Sequence, residues 1–237
     1  MQKRKPKIFT KITHQPMGQQ KKGLILLSGG QDSTTCLAWA LKQFDQIHAI
    51  TFDYGQRHSI ELECAKEIAE KLNIPLKIQK LDIFKDLTTS ALTNSEIEIV
   101  DGDENNLPST FVPGRNLIFL STAAIHAHTL GIADLITGVC QTDYSGYPDC
   151  REDFVKSLEI TISCALDSPF QIHTPLMHMT KAETVEMMQE LGQIELLKHS
   201  HTCYKGSRPA CGKCPSCELR LKGFKEAGIT DPIKYEQ

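Results

Sequence analysis

The run Ser28-Gly29-Gly30-Gln31-Asp32-Ser33 stands between the apolar stretch Gly23-Leu24-Ile25-Leu26-Leu27 and a segment with Leu37, Ala40, Leu41 and Phe44 at helical spacing. A loop so placed is suited to an anion. Two glycines remove the Cβ atoms that keep phosphate oxygens away, which leaves backbone amides and a helix N-terminus to bind them. The Ser28 and Ser33 hydroxyls can add donors. Asp32 is a candidate Mg²⁺ ligand, because a carboxylate beside bound phosphates is costly unless a cation bridges them. Leu27 and Thr34 flank these residues, so Leu27, Ser28, Gly29, Gly30, Gln31, Asp32, Ser33 and Thr34 form the candidate nucleotide-binding run. The plainer alternative is a glycine turn in which Asp32 or Ser33 only caps the helix. The loop lacks the Gly-Lys-Ser/Thr ending of a Walker A motif, so no lysine reaches the outer phosphates from within it.

A second cluster lies near the C-terminus, where Cys203, Cys211, Cys214 and Cys217 fall as Cys-x7-Cys-x2-Cys-x2-Cys. Four thiolates at this spacing match a closed tetrahedral zinc site, which would hold structure and leave chemistry to other groups. An iron-sulfur cluster and redox-active thiols are the competing readings. The nine cysteines are odd in number and accompany no apolar export segment, which argues for a reducing, cytoplasmic compartment rather than a disulfide framework. Cys36, Cys64 and Cys164 are expected to pack as small hydrophobes.

The elements that must position these groups alternate. After the first strand and helix come an apolar run from Ile47 to Phe52, a helix with Ile60, Cys64, Ile68 and Leu72 on one stripe, and a strand from Leu76 to Leu81. Residues 88–112 are polar and rich in turn formers, as a lid or a linker would be. A helix is predicted from Asn116 to Leu130 and a fourth strand from Ala133 to Val139. Asp149 with Glu152, and Thr180 with Glu183, are candidate capping boxes for two further helices. This order predicts an α/β fold with a doubly wound parallel sheet and a small C-terminal zinc-binding region. The expected boundaries are a basic extension at 1–22, a nucleotide-binding catalytic domain at 23–198 and a zinc-binding helical region at 199–237.

Composition excludes little else. At 237 residues, with 40% hydrophobic and 23% charged side chains, the chain is an ordinary globular one without a bilayer-length apolar stretch. Residues 1–22 hold seven of the 26 Lys and Arg side chains and no acid, leaving 19 basic against 29 acidic groups in the rest. The basic tail reads as a solvated extension, with nucleic acid as the other possible partner. The acidic remainder predicts no nucleic-acid or membrane partner.

Taken in order, the phosphate loop, Phe52-Asp53-Tyr54-Gly55-Gln56-Arg57-His58, Phe111-Val112-Pro113-Gly114-Arg115-Asn116, Asp143-Tyr144-Ser145-Gly146-Tyr147-Pro148-Asp149-Cys150-Arg151 and the cysteine cluster resemble the 7-cyano-7-deazaguanine synthase family. These are PP-loop (adenine nucleotide alpha hydrolase-like) enzymes of queuosine biosynthesis. The resemblance covers about residues 23–223 and implies a carbon-nitrogen ligase acting on 7-carboxy-7-deazaguanine, ammonium and ATP with Mg²⁺. It also implies a homodimer. Such an enzyme adenylates the carboxylate, lets ammonia form an amide, adenylates the amide oxygen and eliminates to the nitrile.

Roles follow for the matching residues. Arg115 and Lys181 are placed to meet charge growing on pyrophosphate, or else form surface ion pairs. Arg151 can hold a carboxylate, and Asp149 can accept from the N–H groups of a guanine-like base or merely cap a helix. Tyr144 and Tyr147 can stack on the base or pack against the core. His58 can move protons for ammonia or be structural, and Arg57 can serve the lid. Gln2 follows Met1, so no N-terminal cysteine offers a glutaminase nucleophile and free ammonium is the expected nitrogen source. A PP-loop enzyme that adenylates a tRNA base carbonyl is the rival within the fold, and a zinc-ribbon binding module is the rival outside it.

Overall fold

A computed structural model describes residues 20–94, 96–100, 107–142 and 147–236. The chain runs β1 (Lys22–Leu26), α1 (Gln31–Gln43), β2 (Gln46–Asp53), α2 (Ile60–Lys71), β3 (Leu76–Lys80), α3 (Ile83–Leu87), α4 (Arg115–Thr129) and β4 (Asp134–Ile136). It continues through α5 (Glu152–Ala165), β5 (Gln171–His173), α6 (Lys181–Glu190) and α7 (Pro215–Glu226), with short 3-10 turns at Pro148–Cys150 and Ile194–His199. The strands pair in the order β3-β2-β1-β4-β5, all parallel.

That order makes the sheet doubly wound, as the alternation predicts. Leu24, Ile50 and Leu135 face a core closed by Leu120, Ala123 and Ala127 of α4 and by Val155, Leu158 and Ile162 of α5. Ile25, Ala49 and Ile136 face a second core closed by Leu37 of α1, Ile68 of α2, and Val185 and Met188 of α6. Strands apolar on both faces are the consequence of helices on both faces. The chain reverses between β1 and β4, and the loops that leave these strands part at that point to open a crevice.

Three expectations change. The fourth strand is only Asp134–Ile136, because Thr137 already turns to donate its amide to the His173 carbonyl. Asp149 does not form a capping box for α5, whose N-cap is Arg151; its carboxylate instead accepts from the Asn116 amide at 3.0 Å and so caps α4 from across the sheet edge. Cys164 is exposed, since it falls on the solvent stripe of α5. The Thr180–Glu183 capping box is present in full.

Residues 199–236 form an arm laid across the sheet's C-terminal edge. Its centre is Arg220, which is 1% exposed and donates to both Asp231 oxygens at 2.7 and 2.9 Å, to Ser200 Oγ and to the Leu197 carbonyl. Tyr235 donates to the same carboxylate at 2.7 Å. A buried cation needs partners for its donors, and this one finds them on two segments of chain, at Leu197–Ser200 and at Asp231. Helix α7 then lies so close to α6 that a Cβ on Gly223 would sit 2.7 Å from Lys181 Cβ.

Candidate active site

The phosphate loop is tied by its own side chains. Ser28 Oγ and Ser33 Oγ are 2.9 Å apart, Ser33 Oγ accepts from the Ser28 amide, and Thr34 Oγ1 donates to the Gly30 carbonyl at 2.7 Å. Gly29 has φ +86°, and a Cβ there would lie 2.2 Å from the Glu61 carbonyl oxygen, so α2 is seated directly on the loop. Only glycine meets both conditions. From the other side, a Cβ on Gly138 would come within 3.0 Å of the Ser33 nitrogen, which sets the crevice floor against the backbone at the start of α1.

Lys181 reaches this loop from the first residue of α6. Its Nζ lies 2.7 and 2.6 Å from the two Asp32 oxygens, and both side chains are largely covered. The structure thus joins two residues assigned separately from the sequence. The capping box fixes the first turn of α6, and with it the point from which the lysine extends.

Arg115 opens α4. Burial works against its charge, but Tyr54, Tyr147, Cys150 and Asp149 around it outweigh that cost and hold the guanidinium firmly ionised. Tyr147 hydrogen-bonds Thr110 at 2.7 Å and lies 5.3 Å, ring to ring, from Phe111, so the end of the 88–112 segment packs beside it. Asn116 binds the Asp149 carbonyl and Cys150 Sγ through its amide nitrogen. Arg151 is exposed at the start of α5. Tyr144 lies outside the described residues.

His58 packs its ring on Gly206, where a Cβ would lie 2.4 Å from the imidazole, and burial followed by Arg57 lowers its pKa. With Arg57, Glu98, Ile99 and Lys205 it lines a cleft of about 390 Å³.

The arm supplies residues that carry no signal in the sequence. The His201 amide donates to the Gly29 carbonyl at 2.9 Å, and burial followed by Arg208, Arg220 and His58 pushes its imidazole down to about 4, which keeps it neutral. Burial pushes the Tyr204 phenol well up, with Tyr147 adding to the effect and Arg115 opposing it. Arg208 donates to Cys64 Sγ at 2.9 Å, so Cys64 is a hydrogen-bonding partner as well as a packing residue. Tyr54 and Glu61 join the same cluster through Arg115, and burial lifts the Glu61 carboxyl to about 7 against the pull of that cation. Only their folded neighbours could have revealed them.

Beyond Tyr204, the sulfur atoms of Cys203, Cys211, Cys214 and Cys217 all lie within 4.8 Å of one another and are buried. Backbone amides already point at them, from Cys211 to Cys203 Sγ and from Lys213 to Cys211 Sγ. Hydrogen bonds led by Cys217 lower the pKa of Cys214. Four converging sulfurs, one easily ionised and others held by amides, suit a thiophilic metal ion of tetrahedral preference. This is the cluster the spacing predicts.

Comparison with known proteins shows the family. Residues 22–228 match the family model described as Queuosine biosynthesis protein QueC. The 7-cyano-7-deazaguanine synthase of Chromobacterium violaceum is 53% identical over 90% of this chain and 93% of its own, and that of Bacillus subtilis 51% identical over 88% and 95%. Among solved structures, a 4-thiouridine synthetase bound to RNA and ATP aligns at a TM-score of 0.47 and 19% identity, over 88% of this chain and 50% of that one, too distant to bear on function. With the match spanning the sheet, the crevice and the cysteine arm alike, the chain belongs to the QueC family.

Proposed function

We propose that this protein is an ATP-dependent ligase that converts 7-carboxy-7-deazaguanine and ammonium to 7-cyano-7-deazaguanine, with AMP and pyrophosphate as co-products. The observation that carries the reading is a phosphate loop without a Walker lysine, reached from α6 by Lys181 through its ion pair with Asp32, in a chain of this family.

Neither carboxylate oxygen leaves carbon unaided, and transfer of AMP makes each a good leaving group. The loop amides and Ser28 and Ser33 hold the phosphates. Asp32 would hold the Mg²⁺ that travels with ATP, which would supply charge neutralisation at the phosphates, and Lys181 and Arg115 would meet the charge of the departing pyrophosphate. Tyr147, with Tyr144, offers a flat surface to the base. Asp149 caps α4 through one oxygen, and the other would accept from ring N–H groups. Arg151 would hold the substrate carboxylate and His58 would move protons for ammonia.

The four cysteines would hold Zn²⁺, which orders the arm that brings His201 and Tyr204 to the crevice. Among the described residues no helix is long and apolar enough to cross a membrane. A cytoplasmic homodimer fits this reading. Mixing the protein with Mg-ATP, ammonium and the carboxylate, and following products by mass spectrometry, tests the proposal. It requires the nitrile and AMP that forms only when the carboxylate is present; absence of both ends it.

A further inference from the structure

The cleft lined by Arg57, His58, Glu98, Ile99 and Lys205 has, His58 apart, no task in the reaction as described. Three separate parts of the chain form its walls. Arg57 and His58 come from the turn between β2 and α2, Glu98 and Ile99 from the 88–112 segment, and Lys205 from the cysteine arm. Two contacts hold these parts together. The Arg57 amide donates to the Leu92 carbonyl at 2.7 Å, which ties the turn to the 88–112 segment. The His58 ring packs so closely on Gly206, the neighbour of Lys205, that a Cβ there would lie 2.4 Å from it. Among the described residues, none from the phosphate loop lines this space.

The charge of the lining selects the ligand. Arg57 and Lys205 bring positive charge, His58 offers a ring N–H in either protonation state, and Glu98 offsets a single cation. The surplus is positive, so an anion is stabilised there and a cation such as ammonium is repelled. A volume of about 390 Å³ exceeds what one small ion fills and matches the lower range of small-molecule pockets. Cations supplied by two segments of chain suit a ligand with two anionic groups, because each group can take one of them. Pyrophosphate, which the ligase reaction releases, has that form. The arm that carries Lys205 also reaches the phosphate loop, where the His201 amide holds the Gly29 carbonyl at 2.9 Å.

We propose that this cleft is a second anion site, separate from the phosphate loop, that takes a diphosphate group as inorganic pyrophosphate. Arg57 and Lys205 hold its two ends, and Ile99 forms an apolar wall of the cleft.

The choice of pyrophosphate rests on the ligase reading, and binding measured without turnover tests the site separately. The full-length protein is saturated with Mg²⁺ and α,β-methylene-ATP, which fills the phosphate loop and cannot be cleaved between those phosphates. Sodium pyrophosphate is then titrated in by calorimetry, and a single further site is expected. Lys205→Glu weakens this binding by about three- to tenfold, and Glu98→Gln tightens it by about two- to fivefold. Affinity for the ATP analogue changes by less than about twofold in both variants. A variant that merely loses its fold cannot bind more tightly, so the second substitution guards the first. Orthophosphate, with one anionic group, binds at least about tenfold more weakly than pyrophosphate. No binding once the loop is filled overturns the proposal, as does binding that neither substitution alters, which marks an adventitious ion only. Equal affinity for orthophosphate and pyrophosphate overturns the assignment to a diphosphate. Failure to form nitrile from the carboxylate ends the ligase reading and leaves this binding result standing.

Discussion

The phosphate loop and the cysteine arm meet at Gly29 and His201, yet they are held in place by different means. The loop is fixed by sterics and by hydrogen bonds within a few residues, with Gly29 and Gly138 letting backbone approach backbone. The arm has only a small satellite core of its own and depends on a buried ion pair, four convergent thiols and contacts far apart in sequence. Where local geometry sets a site, the ligand finds it ready made. Where a metal and a salt bridge set it, the site is as stable as those partners.

The largest effect expected is in the arm. Asp231→Ala strands the Arg220 guanidinium in a place that is 1% exposed, and breaking a buried pair this way costs about 3–5 kcal/mol; denaturant unfolding reads it. Gly29→Ala comes next, at about 3 kcal/mol, because the φ of +86° and the Glu61 carbonyl both resist a Cβ. If the contrast between the regions holds, Asp231→Ala weakens retention of the metal while Gly29→Ala does not. Metal content after dialysis decides.

Gly223→Ala probes the link between the two regions. A Cβ there meets Lys181, so α6 must move, and the expected result is about 1–3 kcal/mol of lost stability with a raised KM for ATP. An unchanged KM would mean that α7 does not set the lysine.

The smallest effect is electrostatic. Glu61 has a folded pKa raised to about 7 from an ordinary 4.5, so the folded state binds more protons than the unfolded one between those values. Stability supplied by the protonated form is present below about 4.5 and lost as pH rises through about 7. Glu61→Gln therefore loses less stability than the wild type between pH 5 and 8, in a thermal-melt series, by about 1 kcal/mol after allowance for partial exposure.

The loop was legible in the sequence because its chemistry is contiguous: two serines, two glycines and an acid between an apolar strand and an amphipathic helix. The cysteines were legible for the same reason. Helices α1 and α2 follow from apolar residues at helical spacing, α4 and the first three strands from apolar runs, and α6 from its capping box. Strand β5, at Gln171–His173, is too short and too polar to show a period. Asp149 illustrates the limit best. Its spacing to Glu152 reads as a local cap, but the Asn116 amide of another helix takes its oxygen. Glu61, Tyr204 and His201 have the same character, since each acquires its place only when α2 and the arm fold against the loop and Arg115.

The most direct test of AMP transfer in this crevice starts from 7-carboxy-7-deazaguanine labelled with ¹⁸O in both carboxylate oxygens. The account predicts that as the nitrile forms, both labels appear in AMP, one oxygen in each AMP released. Label in inorganic phosphate or in water, with unlabelled AMP, would contradict it.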